Sequence, residues 1–351
     1  MTAAVTPTTS RSANTARYAL AFGVLAALLL GAVVARLAVG TSGVGWPHHA
    51  FEGEVAAYVW QARLFRVALA AVAGAALAIS GVALQALLRN PLAEPYILGL
   101  TTGAAAGIMA QGALFYYVGW TLGRQAVSLG NVLPMPAWLD LTLSADQAGA
   151  MAGALLSMTI VFLAGRRRGL IDPLGLLLTG VVLSTMNGAL VMMLNYLVGP
   201  SVARDDLARW MMGYLDEGVS GGMIGMVALL TAIGLALLVA AGRSMDVATL
   251  TESEAQSLGV NLRRLRALLF GIASVLAAGA VLLAGPMAFV GLICPHLARL
   301  MLGPRHGPLV IGAAMAGATL ILLSDLASTA LYLRLSVGLM PIGIFTAMVG
   351  G

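Results

Sequence analysis

The chain has 351 residues, of which 60% are hydrophobic and 9% charged, and a formal charge of +5. Soluble domains carry about 25% charged residues, so the solvent for most of this surface is lipid, and the modest basic excess reads as loop charge that sets membrane orientation rather than as a nucleic-acid footprint. All 19 basic residues are arginine, which excludes a P-loop lysine, a Schiff base and a lysine general base. Any ATP hydrolysis that drives the protein must therefore occur on another chain. The single cysteine, Cys294, excludes an intrachain disulfide and a cysteine metal cluster, and reads as a small buried apolar residue. No cofactor is implied.

From the N-terminus, residues 1–17 are polar and rich in Ser and Thr, and read as a disordered cytoplasmic tail. Residues 18–351 read as one transmembrane domain. A helix needs roughly 20 mainly apolar residues to cross the hydrocarbon. Spans are predicted at Tyr18–Val39, Val67–Leu88, Ile97–Val118, Gln147–Gly165, Leu174–Val198, Met223–Ala241, Leu265–Ala284, Met287–Leu302 and Leu309–Leu331, the eighth being short. A tenth begins near Met340. From there to Gly351 the helical rise is roughly 18 Å against a hydrocarbon of about 30 Å. The expectation is either that the natural chain continues, or that this helix is buried against the bundle and wetted by a path. The fold class is thus all-α, a polytopic bundle of about ten transmembrane helices.

An N-terminus inside places Arg89, Arg166, Arg167, Arg168, Arg243, Arg263, Arg264 and Arg266 on inner loops, with fewer arginines outside, as the positive-inside rule requires. The outer side collects acids, among them Asp140, Asp205, Asp206, Asp216 and Glu217, and all five tryptophans: Trp46, Trp60, Trp120, Trp138 and Trp210. Runs such as Ala70–Gly81 and Gly312–Gly317 are small-residue surfaces that let helices approach closely. Ala73–Gly81 and Ala278–Gly285 echo one another, as in a chain built of two five-helix halves.

The segment Leu88–Leu100, LRNPLAEPYILGL, breaks two apolar helices with two prolines on the inner side. It is a tight turn at the membrane face, either a plain hairpin loop or a gate. Arg63 and Arg66, three apart, share a helical face at the outer start of the second span, where interface snorkelling is the plainer explanation. Thr251–Leu262, TESEAQSLGVNL, carries a capping box from Thr251 to Glu254 and a stop at Gly259, consistent with a short helix on the cytoplasmic face or with a solvated loop. His296 after Pro295 reads as a structural histidine at a kink. The pair His48 and His49 lacks the partners a metal site needs, so no metal ligands are assigned. Asp325 is the clearest carboxylate inside a span, and a hydrogen-bonding role near the outer end is expected for it.

RLFR at Arg63–Arg66, the run Ser80–Gly107, the run Gly285–Gly307 (GPMAFVGLICPHLARLMLGPRHG) and the tail Met340–Gly351 closely resemble the iron-siderophore, haem and vitamin B12 ABC importer permeases. That resemblance implies a non-catalytic translocation subunit in a bacterial or archaeal cell (inner) membrane. Its implied partners are a second permease subunit, alike or different, a cytoplasmic ATP-binding cassette ATPase, and an extracytoplasmic substrate-binding protein that delivers a metal chelate. It further implies binding-protein docking at Arg63 and Arg66, with Arg334 standing in for an arginine that is Thr329 here. A cytoplasmic gate follows at Asn90, Pro91 and Leu92, and ATPase coupling at Thr251, Glu252, Glu254, Leu258 and Gly259. Phe65 departs from the family's proline. Asp172-Pro173-Leu174 departs from the small polar residues usual at that inner position, which implies a stiffer gate or a slipped alignment. The PYILGL and LLRNPLAEP variants lean toward an iron-siderophore over cobalamin or haem. A secondary transporter would need several intramembrane carboxylates or histidines. An intramembrane enzyme would need a nucleophile–base pair.

Overall fold

The computed structural model describes residues 8–47, 52–121, 145–167, 170–198, 211–215, 218–336 and 338–351. His48, His49, Arg124, Trp138, Asp140, Arg168, Arg204, Asp205, Asp206, Arg209, Trp210, Asp216 and Glu217 lie outside them. The helices are α1 (Thr8–Ala38), α2 (Gly53–Leu88), α3 (Leu100–Thr121), α4 (Ala145–Ala164), α5 (Pro173–Val198), α6 (Gly221–Val247), α7 (Glu252–Ser257), α8 (Leu262–Ala284), α9 (Val290–Leu302), α10 (His306–Leu335) and α11 (Ile342–Gly350). Two short hairpins join α1 to α2 (β1, Val39–Gly40; β2, Gly43–Val44) and α4 to α5 (β3, Arg166–Arg167; β4, Leu170–Ile171). Among the described residues seven helices are long and apolar enough to cross a membrane. With α3, α9 and α11 they make the ten expected, and α7 stands apart as a short polar helix.

The largest differences from the sequence reading are at the starts of the first two helices. Helix α1 starts at Thr8, so the polar stretch up to Arg17 continues the first span rather than trailing from it. Helix α2 starts at Gly53, not Val67, and its 36 residues rise about 54 Å, well beyond a hydrocarbon slab of about 30 Å. Hydropathy sees only the apolar part, while the helix runs on through Trp60 and Arg63.

Burial separates a central column from a periphery. In their most apolar stretches α2 and α8 are 72% buried and α10 61%, against 17% for α1 and 22% for α5. Small residues decide this. A side chain at Gly74 would overlap the backbone of Gly317 on α10, and one at Gly81 the backbone of Gly291 on α9. Only glycine lets these helices meet backbone to backbone, which is how a bundle without a hydrophobic driving force gains its contacts.

The column is interrupted twice. Helix α2 ends at Arg89 with a left-handed φ of 49°, and a 3-10 turn at Pro95–Leu98 leads into α3. Helix α8 ends at Gly285, and Phe289 opens α9 at φ 69°. Ser80 Oγ donates to Ala273 O in mid-α8 at 2.8 Å, yet Gly291 lies beside Gly81. The chain therefore doubles back over Gly285–Phe289, and α9 starts inside the bundle. That accounts for the short eighth span.

Candidate functional site

At the β1–β2 end of the bundle, the outer pole of the expected orientation, the centre is Asp325, fully buried on α10. It accepts from Arg36 Nε, and from Arg66 Nε and Nη2, whose distances to Oδ1 are 3.0 and 2.9 Å. Arg36 Nη1 also donates to Val39 O at 2.5 Å. Arg63 Nη1 donates to Leu37 O and Gly45 O, both at 2.7 Å, and Nη2 to Gly43 O and Ser42 Oγ. Asp325 thus has the hydrogen-bonding role expected at the outer end, and Thr329 Oγ1 donates to its backbone carbonyl. Arg63 and Arg66 are not snorkelling. They are 5% and 4% exposed, one clasping the β1–β2 hairpin and the other tying α2 to α10. Arg334 is exposed at the end of α10. Arg36 escaped attention as a site residue, because nothing local links it to a partner 289 positions away.

At the opposite end, the inner pole of the expected orientation, Asn90 Oδ1 accepts from Leu92 N at 3.0 Å, and Asn90 O from Ala93 N at 3.1 Å, so the turn is held by its own Asn. Pro91 and Leu92 are exposed at its tip. The turn is anchored by Glu94, 8% exposed, whose Oε2 accepts from the Phe289 amide that opens α9 at 2.9 Å. Gln85 Nε2 donates to Gly291 O and Arg299 Nη2 to Gln85 Oε1. Residues separated by some 200 positions thereby share one junction, and Glu94, unremarked in the sequence, holds it.

Helix α7 has the capping box read from Thr251 and Glu254: Thr251 N donates to Glu254 Oε2 at 3.0 Å, and Glu254 N to Thr251 Oγ1. Thr251 Oγ1 also donates to Glu254 Oε2 at 2.6 Å, and this bond, with the one from Thr251 N, holds the Glu254 carboxyl below the usual glutamate range. Leu258 caps the C-terminus, 64% exposed, and Gly259 follows at φ 82°. Glu252 pairs with Arg266 on α8, whose hydrogen bond and charge hold its carboxyl low. A cleft of about 360 Å³ lined by Glu252, Gln256, Asn261 and Arg266 opens beside it.

Asp172-Pro173 is a helix start: Pro173 is the first residue of α5, and Asp172 Oδ2 accepts from Gly175 N at 3.3 Å. Cys294 is fully buried, as expected, whereas His296 is exposed on α9. His306, overlooked in the sequence, starts α10 and bonds Asp246 Oδ1 through its amide at 2.9 Å and Nδ1 at 2.6 Å. Among the described residues no cluster of His, Cys, Asp or Glu could hold a metal ion.

A bundle of ten membrane helices, broken inside its core and carrying a capped polar helix on one face, defines a polytopic transport subunit. Residues 19–351 match the model of the FecCD transport family, and the chain belongs to that family. It is 34% identical over 288 residues to the cobalamin import system permease protein BtuC of Halobacterium salinarum, covering 82% of this chain and 69% of that one. It is 34% identical over 298 residues to the hemin transport system permease protein HmuU of Yersinia pestis (84% and 81%) and 35% identical over 305 residues to the vitamin B12 import system permease protein BtuC of Yersinia enterocolitica (87% and 82%). Among solved structures it is similar, at a TM-score of 0.74 and 28% identity over 95% of this chain and 96% of that one, to a metal-chelate type ABC transporter in an inward-facing conformation. The chain is a multi-pass, non-catalytic permease subunit of an ABC importer of the prokaryotic inner membrane, and ATP hydrolysis belongs to a separate subunit.

Proposed function

We propose that this permease moves an iron-siderophore-type metal chelate inward, with its N-terminus in the cytoplasm. The observation that supports a bulky cargo is the inner junction, where α9 begins inside the bundle beside the Asn90–Leu92 turn. A turn stiffened by its own Asn and anchored through Glu94 is suited to act as a gate. The siderophore reading rests on the LLRNPLAEP and PYILGL variants, and the N-terminal orientation on the arginine-rich inner loops. Cobalamin or haem is the second reading, favoured by what the relatives' names say they carry. An ion-coupled carrier is disfavoured, because Asp325, the carboxylate best placed to relay protons, is locked between two arginines.

In this reading the outer pole receives the binding protein. Arg334 offers the exposed charge, while Arg63 and Arg66 supply buried positive potential and hold the hairpin that shapes the surface, so complementarity acts through the field as well as through contact. Helix α7, with Thr251, Glu252, Glu254, Leu258 and Gly259, docks on the ATPase, and the partner permease covers the exposed apolar face of α5. The deciding measurement is calorimetric titration of the cognate binding protein with a ferric hydroxamate, cyanocobalamin and haemin. Tight binding of the ferric hydroxamate alone is expected, and tight binding of either other ligand instead would replace the siderophore reading.

A further inference from the structure

The β3–β4 hairpin between α4 and α5, the helix α7 and the start of α8 meet at one side chain. Arg266 lies one turn into α8 and is 8% exposed. Its Nη2 pairs with Glu252 on α7, and its Nη1 donates to Ile171 O at 3.2 Å on the β3–β4 hairpin. Ile171 is buried, and the next residue, Asp172, starts α5. A guanidinium can do this because its planar fork donates along two edges at once.

The hairpin is pinned to α8 a second time. Phe270 is four residues beyond Arg266 and so on the same helical face. It stacks on Phe162 of α4 with centroids 5.2 Å apart, and the Arg166 guanidinium lies 3.8 Å from the Phe162 ring centre. Two contacts on one face of α8 leave the hairpin little freedom to move independently of it. Helix α7, by contrast, is joined to α8 only by a short link through Gly259 at φ 82° and Asn261, which caps α8. Its rigid attachment is the Glu252–Arg266 pair together with fully buried Ala255.

We infer that Arg266 is a positioning residue that clamps α7 to the head of α5, so that a displacement of α7 is handed through one guanidinium to the inner end of α5. This rests on the proposed docking of the ATPase on α7. An ordinary surface ion pair would do little. This one is nine-tenths buried on the arginine side and shared between α7 and the β3–β4 hairpin.

The test uses the assembled importer, permease with its ATPase, in liposomes, with spin labels at exposed positions. One label pair is Ser253 with Leu174, the other Leu174 with Leu300 on α9. Trapping with ATP and vanadate is expected to shift the Leu174–Leu300 distance while the Ser253–Leu174 distance stays constant. Arg266→Gln should leave the ATPase co-purifying, reduce the Leu174–Leu300 shift about threefold or more, and let the Ser253–Leu174 distance change. Should Arg266→Gln not fold, Arg266→Lys keeps the charge and loses one edge of the fork, and the same loss of transmission is expected of it. The swap Glu252→Arg with Arg266→Glu restores an ion pair between α7 and α8 but no donor to Ile171 O, so transmission should stay lost. An undiminished shift in Arg266→Gln, or one restored by the swap, overturns the relay. So does an intact importer whose Leu174–Leu300 distance ignores trapping. Undiminished co-purification of the ATPase with Leu258→Arg would instead remove the docking reading of α7, and the relay with it.

Discussion

The two poles of this bundle use arginine in opposite ways. At the outer pole, Arg36, Arg63 and Arg66 are almost completely buried; Arg36 and Arg66 donate to Asp325, and Arg63 donates to Leu37 O and to the β1–β2 hairpin while its Nε has no partner among the described residues. Inside, Arg266 pairs with a carboxylate that is 54% exposed, and α7 is held by a capping box in water. Taking charges out of water is costly, and once paired they are costly to separate, so a buried cluster has one arrangement. A pair with one partner in water, or a solvated cap, keeps its access to hydration and so feels its surroundings more than a fully buried cluster does. The Asp325 cluster therefore has a single arrangement, whereas the attachment of α7 responds to conditions on its solvated side.

Asp325→Ala should have the largest effect. It strands two buried arginines, and loss of a buried partner costs about 3–5 kcal/mol. A large fall in the unfolding temperature of the permease in nanodiscs is expected, and a change no greater than that of a surface substitution would show the outer pole to be solvated. Gly81→Val comes next. Its side chain would overlap Gly291, and overpacking costs about 1–3 kcal/mol. Reduced stability together with loosened protection of α9 in hydrogen exchange would confirm that the inner junction hangs on that contact.

Thr251→Ala should remove the α7 N-cap at about 1 kcal/mol, with faster amide exchange confined to residues 252–258 and no change at the β1–β2 hairpin. Equal changes at both poles would erase the contrast. The smallest effect is that of pH on α7. Arg266 holds the Glu252 carboxyl below its ordinary value. The pair's stabilisation is therefore complete above the ordinary glutamate range and is lost as pH falls through the lowered value. Because Glu252 is half-exposed, the loss should be under about 1 kcal/mol, visible as acid-enhanced exchange in α7 that Glu252→Gln abolishes.

Local chemistry was legible wherever it was local. The capping box at Thr251 and Glu254, the stop at Gly259 and the shortness of α9 are matters of a few adjacent residues, and each stands where the sequence puts it, whereas the starts of α1 and α2 do not. Arg63 and Arg66 show the limit. Their spacing declared a shared helical face, but it could not say whether that face looked outward or onto Asp325.

Composition and hydropathy by themselves determined that this chain is a helical membrane protein without an ATP-hydrolysing site, because lipid tolerates only apolar spans with satisfied backbones and a P-loop needs its lysine. The quoted motifs marked the family. Tertiary structure alone decided which arginine meets which carboxylate, that Glu94 holds the start of α9, and that Arg266 joins α7 to the α4–α5 hairpin. These contacts link residues 95 to 289 positions apart. Their partners are chosen by where glycine lets helices touch and by the cost of leaving a buried charge alone, neither of which has a period or a spacing to read along the chain.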